Sequence, residues 1–515
     1  MDEAFTKGSG PNLQLGIGTL LLAYVIYAYI QRRKEYEADT LFGERHGCMP
    51  IQRRLPYKWP LALDVFKRQY DALMAGNLLA FQAEYFDKTK VGQTFEVKLL
   101  GRIGYFTTDP KNIEAILSTH FEDWGLGSRR PGLFPMIGEG IFTQDGHHWK
   151  HSRELLRRQF VRIQYQDVKV FEGPINNLLA TLSSSTGVVD LQPEFFRFTL
   201  TTTTSLIFGE PFASLDPTDH EVFAENFDYC SLISAMRLRL ADLCFLYSPP
   251  KYMKACRQVK RYAMHYVNQA LKDKNENGEE PASKRHPFIL DLFKELQDPA
   301  LVCDQLMNVL IAGRDTTACL MSWAFYLLVR HPTALERLRQ ETRSIAINGQ
   351  DLTRAQINKM SYLRCVLSET NRLYTQIPVN IREAMKTTFL PRGGGPDGQS
   401  PILIRKGYGI GFSPYHMHRS KEIYGEDANE FRPERWEGQE LKNIGYGFMP
   451  FHGGPRICLG KDFALTEASY GIVRILQAFP NLRLAPGLPK EPIGKEKQNL
   501  TIVVTSAEGC KVLLD

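Results

Sequence analysis

The sequence predicts a mainly α fold with small β-sheets, preceded by one N-terminal transmembrane helix. Beyond residue 60, long stretches place apolar residues at helical spacing, and strand candidates are few and short. Residues 13–31 form a nearly uncharged run with basic residues after it rather than before it.

In that run Leu20, Leu21, Leu22, Val25, Ile26 and Ile30 supply most of the apolar surface, at the short side of the ~20 residues that cross a bilayer. Arg32, Arg33 and Lys34, then Arg53, Arg54 and Lys58, follow it, so the positive flank stays cytoplasmic. A cleaved signal peptide carries its positive charges before the apolar stretch, which sets this segment apart. The expected organisation is a lumenal tail (1–12), a transmembrane anchor (13–31), a basic proline-containing linker (32–60) and a single body (61–515). In the linker, Pro56 and Pro60 stiffen the chain around Trp59.

Within the body, the spacing predicts helices over Leu61–Phe86, Trp149–Phe160, Tyr252–Lys272, Pro299–Arg330 and Phe463–Ala478. Strands are expected at Thr94–Leu99, Gly104–Thr107, Ile402–Ile404, Gly409–Phe412 and Thr501–Thr505. The polar stretch 272–286 reads as an exposed connection. Arg392 to Gly398, glycine-rich but lacking Lys-Ser/Thr and a following helix, reads as a surface turn rather than a phosphate loop.

The 515 residues are 43% hydrophobic and 11% aromatic, enough to bury a large core around a flat apolar ligand. A net charge of +6 on a chain this long, without interleaved aromatic and basic residues, gives no case for nucleic acid. Nine cysteines with no Cys-x-x-Cys pair exclude a zinc or iron–sulfur framework and point to a reducing compartment.

One of those cysteines has special neighbours. Phe451-His-Gly-Gly-Pro-Arg-Ile-Cys-Leu-Gly460 sets Cys458 among small residues, beside the fixed cation Arg456 and just before an apolar helical stretch. Thiolates are favoured near cations and at helix N-termini. The segment resembles the haem-binding signature of the cytochrome P450 superfamily at every fixed position: Phe451, Gly454, Arg456, Cys458 and Gly460. The resemblance implies the fold of that superfamily and haem b, its iron ligated by the Cys458 thiolate. A thiolate ligand favours O–O cleavage over oxygen carriage.

Ala312-Gly-Arg-Asp315-Thr316-Thr317 interrupts long apolar flanks and so sits within a helix rather than capping one. It resembles the superfamily's oxygen-activation motif. Small residues at 312 and 313 leave room for dioxygen and substrate, Thr316 presents a hydroxyl, and Asp315 feeds protons inward through water. Glu369 and Arg372, three residues apart on one helical face, resemble with Arg435 a buried structural network. Trp149 and Arg153, at i,i+4 spacing, resemble the motif that reaches a haem propionate, with Arg382 and Arg456 as further cations. His147 and His148 read as ordinary polar residues.

Finer texture resembles the fungal alkane- and fatty-acid-hydroxylating branch: His46-Gly-Cys, Leu55-Pro-x-Lys-Trp-Pro, Pro391-Arg-Gly-Gly-Gly and Phe431-Arg-Pro-Glu-Arg-Trp. Thr375-Gln-Ile-Pro378 and Tyr415-His-Met-His418 depart from it. The resemblance implies a monooxygenase of the endoplasmic reticulum membrane, single-pass, with its catalytic domain cytosolic. Its electrons come from NADPH through NADPH–cytochrome P450 reductase. The substrate is a lipophilic small molecule: a fatty acid, an alkane, or the alkyl or polyketide chain of a fungal secondary metabolite. Phe134, Val379, Asn380 and Ile502 are the expected pocket residues. The alternative is a haem-thiolate isomerase or dehydratase working without reductant, against which Asp315 and Thr316 count.

Overall fold

The computed structural model describes residues 11–87, 91–99, 101–164, 168–209, 217–346, 351–488 and 492–514. Helices dominate, and the sheets are small. At the centre runs Pro299–Arg330, about 48 Å long at 1.5 Å per residue. The Asp298 carboxylate caps it by accepting the Ala300 amide (2.8 Å), Pro299 occupies the first turn, and His331-Pro332 ends it. Most of its side chains are buried on all faces, as expected of a helix that is apolar nearly all round. Leu191–Phe208 lies close against it. There Thr199 Oγ1 donates to the Arg314 carbonyl (2.8 Å), and a Cβ at Gly313 would stand 2.6 Å from Thr203 Oγ1.

A five-stranded sheet stands beside the helical body. Its order is Thr94–Leu99, Arg102–Thr107, Gly409–Phe412, Asn380–Ala384, Trp124–Gly125, with one parallel pairing, between the second and third. The register sets Arg382 opposite Ile410. Buried Tyr105, Ile113, Ile410 and Phe412 form the core beneath this sheet, separate from the larger helical core.

Several boundaries differ from the sequence expectation. Leu61–Phe86 is two helices, Leu63–Met74 and Leu78–Phe86, because Gly76 turns at φ +72° and accepts a hydrogen bond from the Gln498 amide (2.7 Å). The stretch 272–286 is not an open connection: the preceding helix runs to Asn277, and Glu279–Arg285 is a further helix. Pairs at i,i+4 such as Lys272–Glu276 and Lys284–Glu280 let a fully polar face stay helical. Of the expected strand Thr501–Thr505, residues 501–503 are the bend of a hairpin between Gln498–Leu500 and Val504–Ser506, and only Val504 and Thr505 are in a strand.

The N-terminal segment also differs. One helix runs from Pro11 to Arg45, so residues 32–45, expected as linker, are helical. They dock on the body: Asp39 accepts from Thr387 Oγ1 (2.6 Å) and Arg405 Nη1 (2.9 Å), while the Arg405 guanidinium lies over Tyr36. Further up, Leu20, Leu22, Val25 and Tyr29 project exposed. Among the described residues no helix is long and apolar enough to cross a membrane. From Ile17 to Ile30 the helix extends about 21 Å at 1.5 Å per residue, against ~30 Å of hydrocarbon. The expected lumenal tail lies largely outside the described residues.

Candidate active site

Cys458 sits in the turn before the helix Lys461–Ala478. Its amide donates to the Phe451 carbonyl (3.0 Å), and the preceding carbonyl, of Ile457, accepts from Arg153 Nη2 (2.8 Å). Gly454 makes this path possible: its φ is +64°, and any Cβ there would overlap the Leu117 carbonyl oxygen. The thiol lines a cavity of about 2100 Å³ that extends to exposed residues such as Arg32 and Lys406. Burial pushes its pKa up, opposed by the Gly460 amide, Arg153 and Lys461. The Gly460 amide and the two cations thus favour the thiolate, as the sequence suggests, while burial and Asp462 oppose it.

Above the cysteine the central helix offers Ala312, Gly313, Thr316, Thr317 and Leu320 to the cavity, the 3–4 residue rhythm of one helical face. Thr316 Oγ1 donates to the Ala312 carbonyl (2.7 Å). Gly313 serves helix packing against Thr203 as well as cavity space. Asp315 lies off the lining face and is buried. Arg314 Nη1 donates to it (3.0 Å) and also to Asp228 on the Pro217–Leu240 helix. Burial raises the Asp315 carboxyl to about 6 against the pull of Arg314.

A ring of cations borders the same cavity. Trp149 is buried, with the Arg456 and Arg153 guanidinium groups 4.2 and 5.8 Å from its ring centroid. Arg456 Nη2 donates to Asp145 Oδ1 (2.6 Å) and to the Gln144 carbonyl (3.1 Å). Arg382 Nη1 donates to Asn380 Oδ1 (3.1 Å) and to the Ile381 carbonyl (2.8 Å). Sequence reasoning missed Arg129, whose Nη1 points at the same Asn380 oxygen (3.4 Å). It also missed His452, which accepts from Asn380 Nδ2 (2.8 Å) and is held neutral near pKa 3 by burial and by Arg382 and Arg129. Burial drives Arg129 and Arg456 down to about 10 and Arg382 well down, with Arg129 and Arg456 repelling Arg382 and Asp145 the one carboxylate raising all three. Buried cations in this excess call for bound anionic groups.

The expected pocket residues divide. Val379 and Ile502 line the cavity. Phe134 does not: in Arg129–Ile137 the helical period turns Leu133 and Ile137 inward, and Phe134 lies outward beneath Arg130 and Lys260. Asn380 borders the cavity, but its amide is committed to Arg382 and His452.

Away from the cavity, Glu369, Arg372 and Arg435 come together as expected. All three are buried, with Arg372 Nη2 and Arg435 Nε donating to the Glu369 carboxylate at 2.8 and 2.9 Å. A second buried acid was not foreseen. Glu467 is fully enclosed between helices, with the Thr202 hydroxyl donating to Oε1 and Thr317 alongside; burial raises it to about 8. A folded-state pKa raised from 4.5 means the folded chain binds the extra proton, so this contribution to stability is complete below pH 4.5 and is lost as pH climbs through 8. Glu467→Gln is expected to flatten the fall in melting temperature between about pH 5 and pH 9; thermal unfolding of wild type and variant across that range checks it.

A helical body in which one cysteine, the central helix and several arginines line one cavity suits an anionic prosthetic group. Comparison with known proteins gives its family. A sequence model described as Cytochrome P450 matches residues 54–510. A protein named Cytochrome P450 from Arthroderma benhamiae is 43% identical over 512 residues, covering 97% of this chain and 98% of its own. Cytochrome P450 52A5 of Candida maltosa is 41% identical, over 83% of this chain and 84% of its own. Cytochrome P450 monooxygenase g430 of a Fusarium species is 37% identical, over 96% and 89%. The chain belongs to the cytochrome P450 family of monooxygenases, oxidoreductases with thiolate-ligated haem and reductase-supplied NAD(P)H electrons.

Proposed function

We propose that this chain inserts one oxygen atom from O2 into an unactivated C–H bond of an aliphatic substrate, releasing the other as water at the cost of one NADPH. The observation that carries this reading is that, among the described residues, a single thiol, Cys458, lines a large cavity that Thr316 also lines. Haem, when bound, supplies the iron at which dioxygen is activated.

In this reading Cys458 is the iron ligand. Trp149, Arg153, Arg382 and Arg456, with Arg129, would hold the propionates of haem by charge-assisted hydrogen bonds. Thr316 holds its hydroxyl on the Ala312 carbonyl, and rotation about χ1, where Thr has two accessible wells in a helix, would free it to donate a proton within the cavity. Asp315, at about 6, exchanges protons near neutrality, and Arg314 holds it beside the exposed Asp228 carboxylate. Thr316→Ala is expected to keep its haem but divert reducing equivalents to peroxide; the ratio of product formed to NADPH consumed measures it.

The apolar lining, including Val309, Leu320, Ile377, Val379 and Ile502, suits a fatty acid, an alkane or the alkyl chain of a secondary metabolite. Such a wall separates neighbouring chain lengths by only roughly 1–3 kcal/mol per methylene. The exposed apolar side chains between Leu20 and Ile30 attach the chain to the endoplasmic reticulum membrane, with the body and its NADPH–cytochrome P450 reductase on the cytosolic side.

Titration with alkanes and fatty acids of increasing length, followed by displacement of iron-bound water and then by NADPH-dependent product, tests the reading. Chain-length-dependent binding and reductant-matched oxidation are expected. Turnover of a peroxide without reductant would instead establish an isomerase.

A further inference from the structure

One cation on the cavity wall has no carboxylate. Arg239 lies in the last turn of Pro217–Leu240 and borders the cavity among Leu206, Leu238, Leu500, Ile502 and Val503. Its Nη2 donates to the Leu500 carbonyl (2.6 Å) and more weakly to that of Thr501 (3.4 Å). The C-terminal hairpin thus holds one edge of the guanidinium. Those bonds engage Nη2, and arginine has five donors, so Nε and Nη1 keep theirs for a ligand.

The other cations along the cavity are otherwise engaged. Arg102 pairs with Asp242, Arg405 with Asp39 and Lys386 with Asp123. Arg129, Arg382 and Arg456 share Asp145, and Arg153 serves the cysteine turn. Arg32 and Lys406 are exposed. Among the described residues no carboxylate pairs with Arg239, and burial alone lowers its pKa, to about 10. A half-enclosed cation in an apolar wall is costly unless an anion completes it.

We propose that Arg239 is the head-group site for a fatty-acid carboxylate, fixing the acid end so that the chain lies along the apolar lining of the cavity. The proposal rests on the aliphatic-substrate reading above and narrows it: acids are preferred to alkanes and esters of equal length, and oxidation falls far from the carboxyl group. A carboxylate suits the open edge because it accepts two parallel N–H bonds from a guanidinium.

The test uses haem-loaded full-length protein and three ligands of one chain length: the fatty acid, its methyl ester and the alkane. Affinities are read by calorimetry, and the oxidised position by product analysis. Arg239→Gln keeps a donor for the hairpin carbonyls but removes the charge. It is expected to weaken the acid about 10- to 100-fold, the range of one charge-assisted hydrogen bond, to leave ester and alkane within about twofold, and to spread the oxidised positions. Arg239→Lys, which keeps the charge, should restore part of the acid affinity. Equal weakening of all three ligands would assign Arg239 to holding the hairpin, and an unchanged acid affinity would place the head group elsewhere; either overturns the proposal alone. Wild-type protein that binds none of the three would overturn the aliphatic reading, and this proposal with it.

Discussion

Cys458→Ala is expected to yield a folded protein with no thiolate spectrum and no monooxygenase activity. Folding survives because what shapes the turn lies outside the side chain. The Cys458 amide bonds to Phe451, Arg153 bonds to the neighbouring carbonyl, and Gly454 supplies the positive φ, all of which alanine leaves intact. Chemistry does not survive, because alanine removes the only side-chain sulfur that the cavity lining offers from this turn. Circular dichroism should match wild type while the thiolate-specific absorption is absent. Cys458→Ser separates ligand identity from polarity: it keeps a small polar group but not a sulfur donor, and should lose the same band. A retained thiolate spectrum in either variant would mean that another cysteine is the ligand.

Glu369→Ala is expected to be the most damaging substitution for stability. Five donors converge on this one carboxylate: Arg372 Nε and Nη2, Arg435 Nε, the Arg432 amide and Trp436 Nε1, at 2.8–3.0 Å. Arg372 also donates to the carbonyls of His418 (2.8 Å), Ala428 (2.6 Å) and Glu430 (3.0 Å), so it ties the helix Ser361–Leu373 to the segment leading towards the cysteine turn. Deleting the carboxylate leaves the enclosed Arg372 without its counter-charge and Arg435 with Asp427 alone. Breaking a buried pair from one side costs roughly 3–5 kcal/mol, against total stabilities of about 5–15 kcal/mol. Little or no haem-loaded protein should be recovered, and whatever is recovered should melt far below wild type. A variant with wild-type haem content and melting temperature would show that the network carries no net stability.

What the sequence disclosed follows how local each signal is. The cysteine turn is written within ten residues, Phe451–Gly460, and the polar break in the central helix within six, so both were legible. Glu369 and Arg372 share one helical face and could be paired, but that Trp436 and the Arg432 amide join them depends on a chain reversal that no local pattern records. Arg129 was missed because one arginine in Ser-Arg-Arg at a helix start looks like its solvated neighbour Arg130, which in the folded chain pairs with Glu139. Phe134 was misplaced by helical phase alone: its neighbour Leu133 faces the cavity. Gly313 was read as room for oxygen, whereas its tightest approach is to Thr203, a contact between helices more than a hundred residues apart in sequence. Glu467 gave no signal beyond being a glutamate in an apolar helix; only its burial raises its proton affinity, against the opposing hydrogen bonds of Thr202 and Thr317.

The central claim is that Cys458 presents its sulfur to haem iron within the cation-ringed cavity. The most direct measurement is the absorption difference spectrum of reduced, haem-loaded protein with and without carbon monoxide. The strongly red-shifted Soret band of thiolate ligation is expected, lost in Cys458→Ala and kept in Thr316→Ala. A carbonyl band at the position given by a nitrogen ligand, or purified protein that takes up no haem, would contradict it.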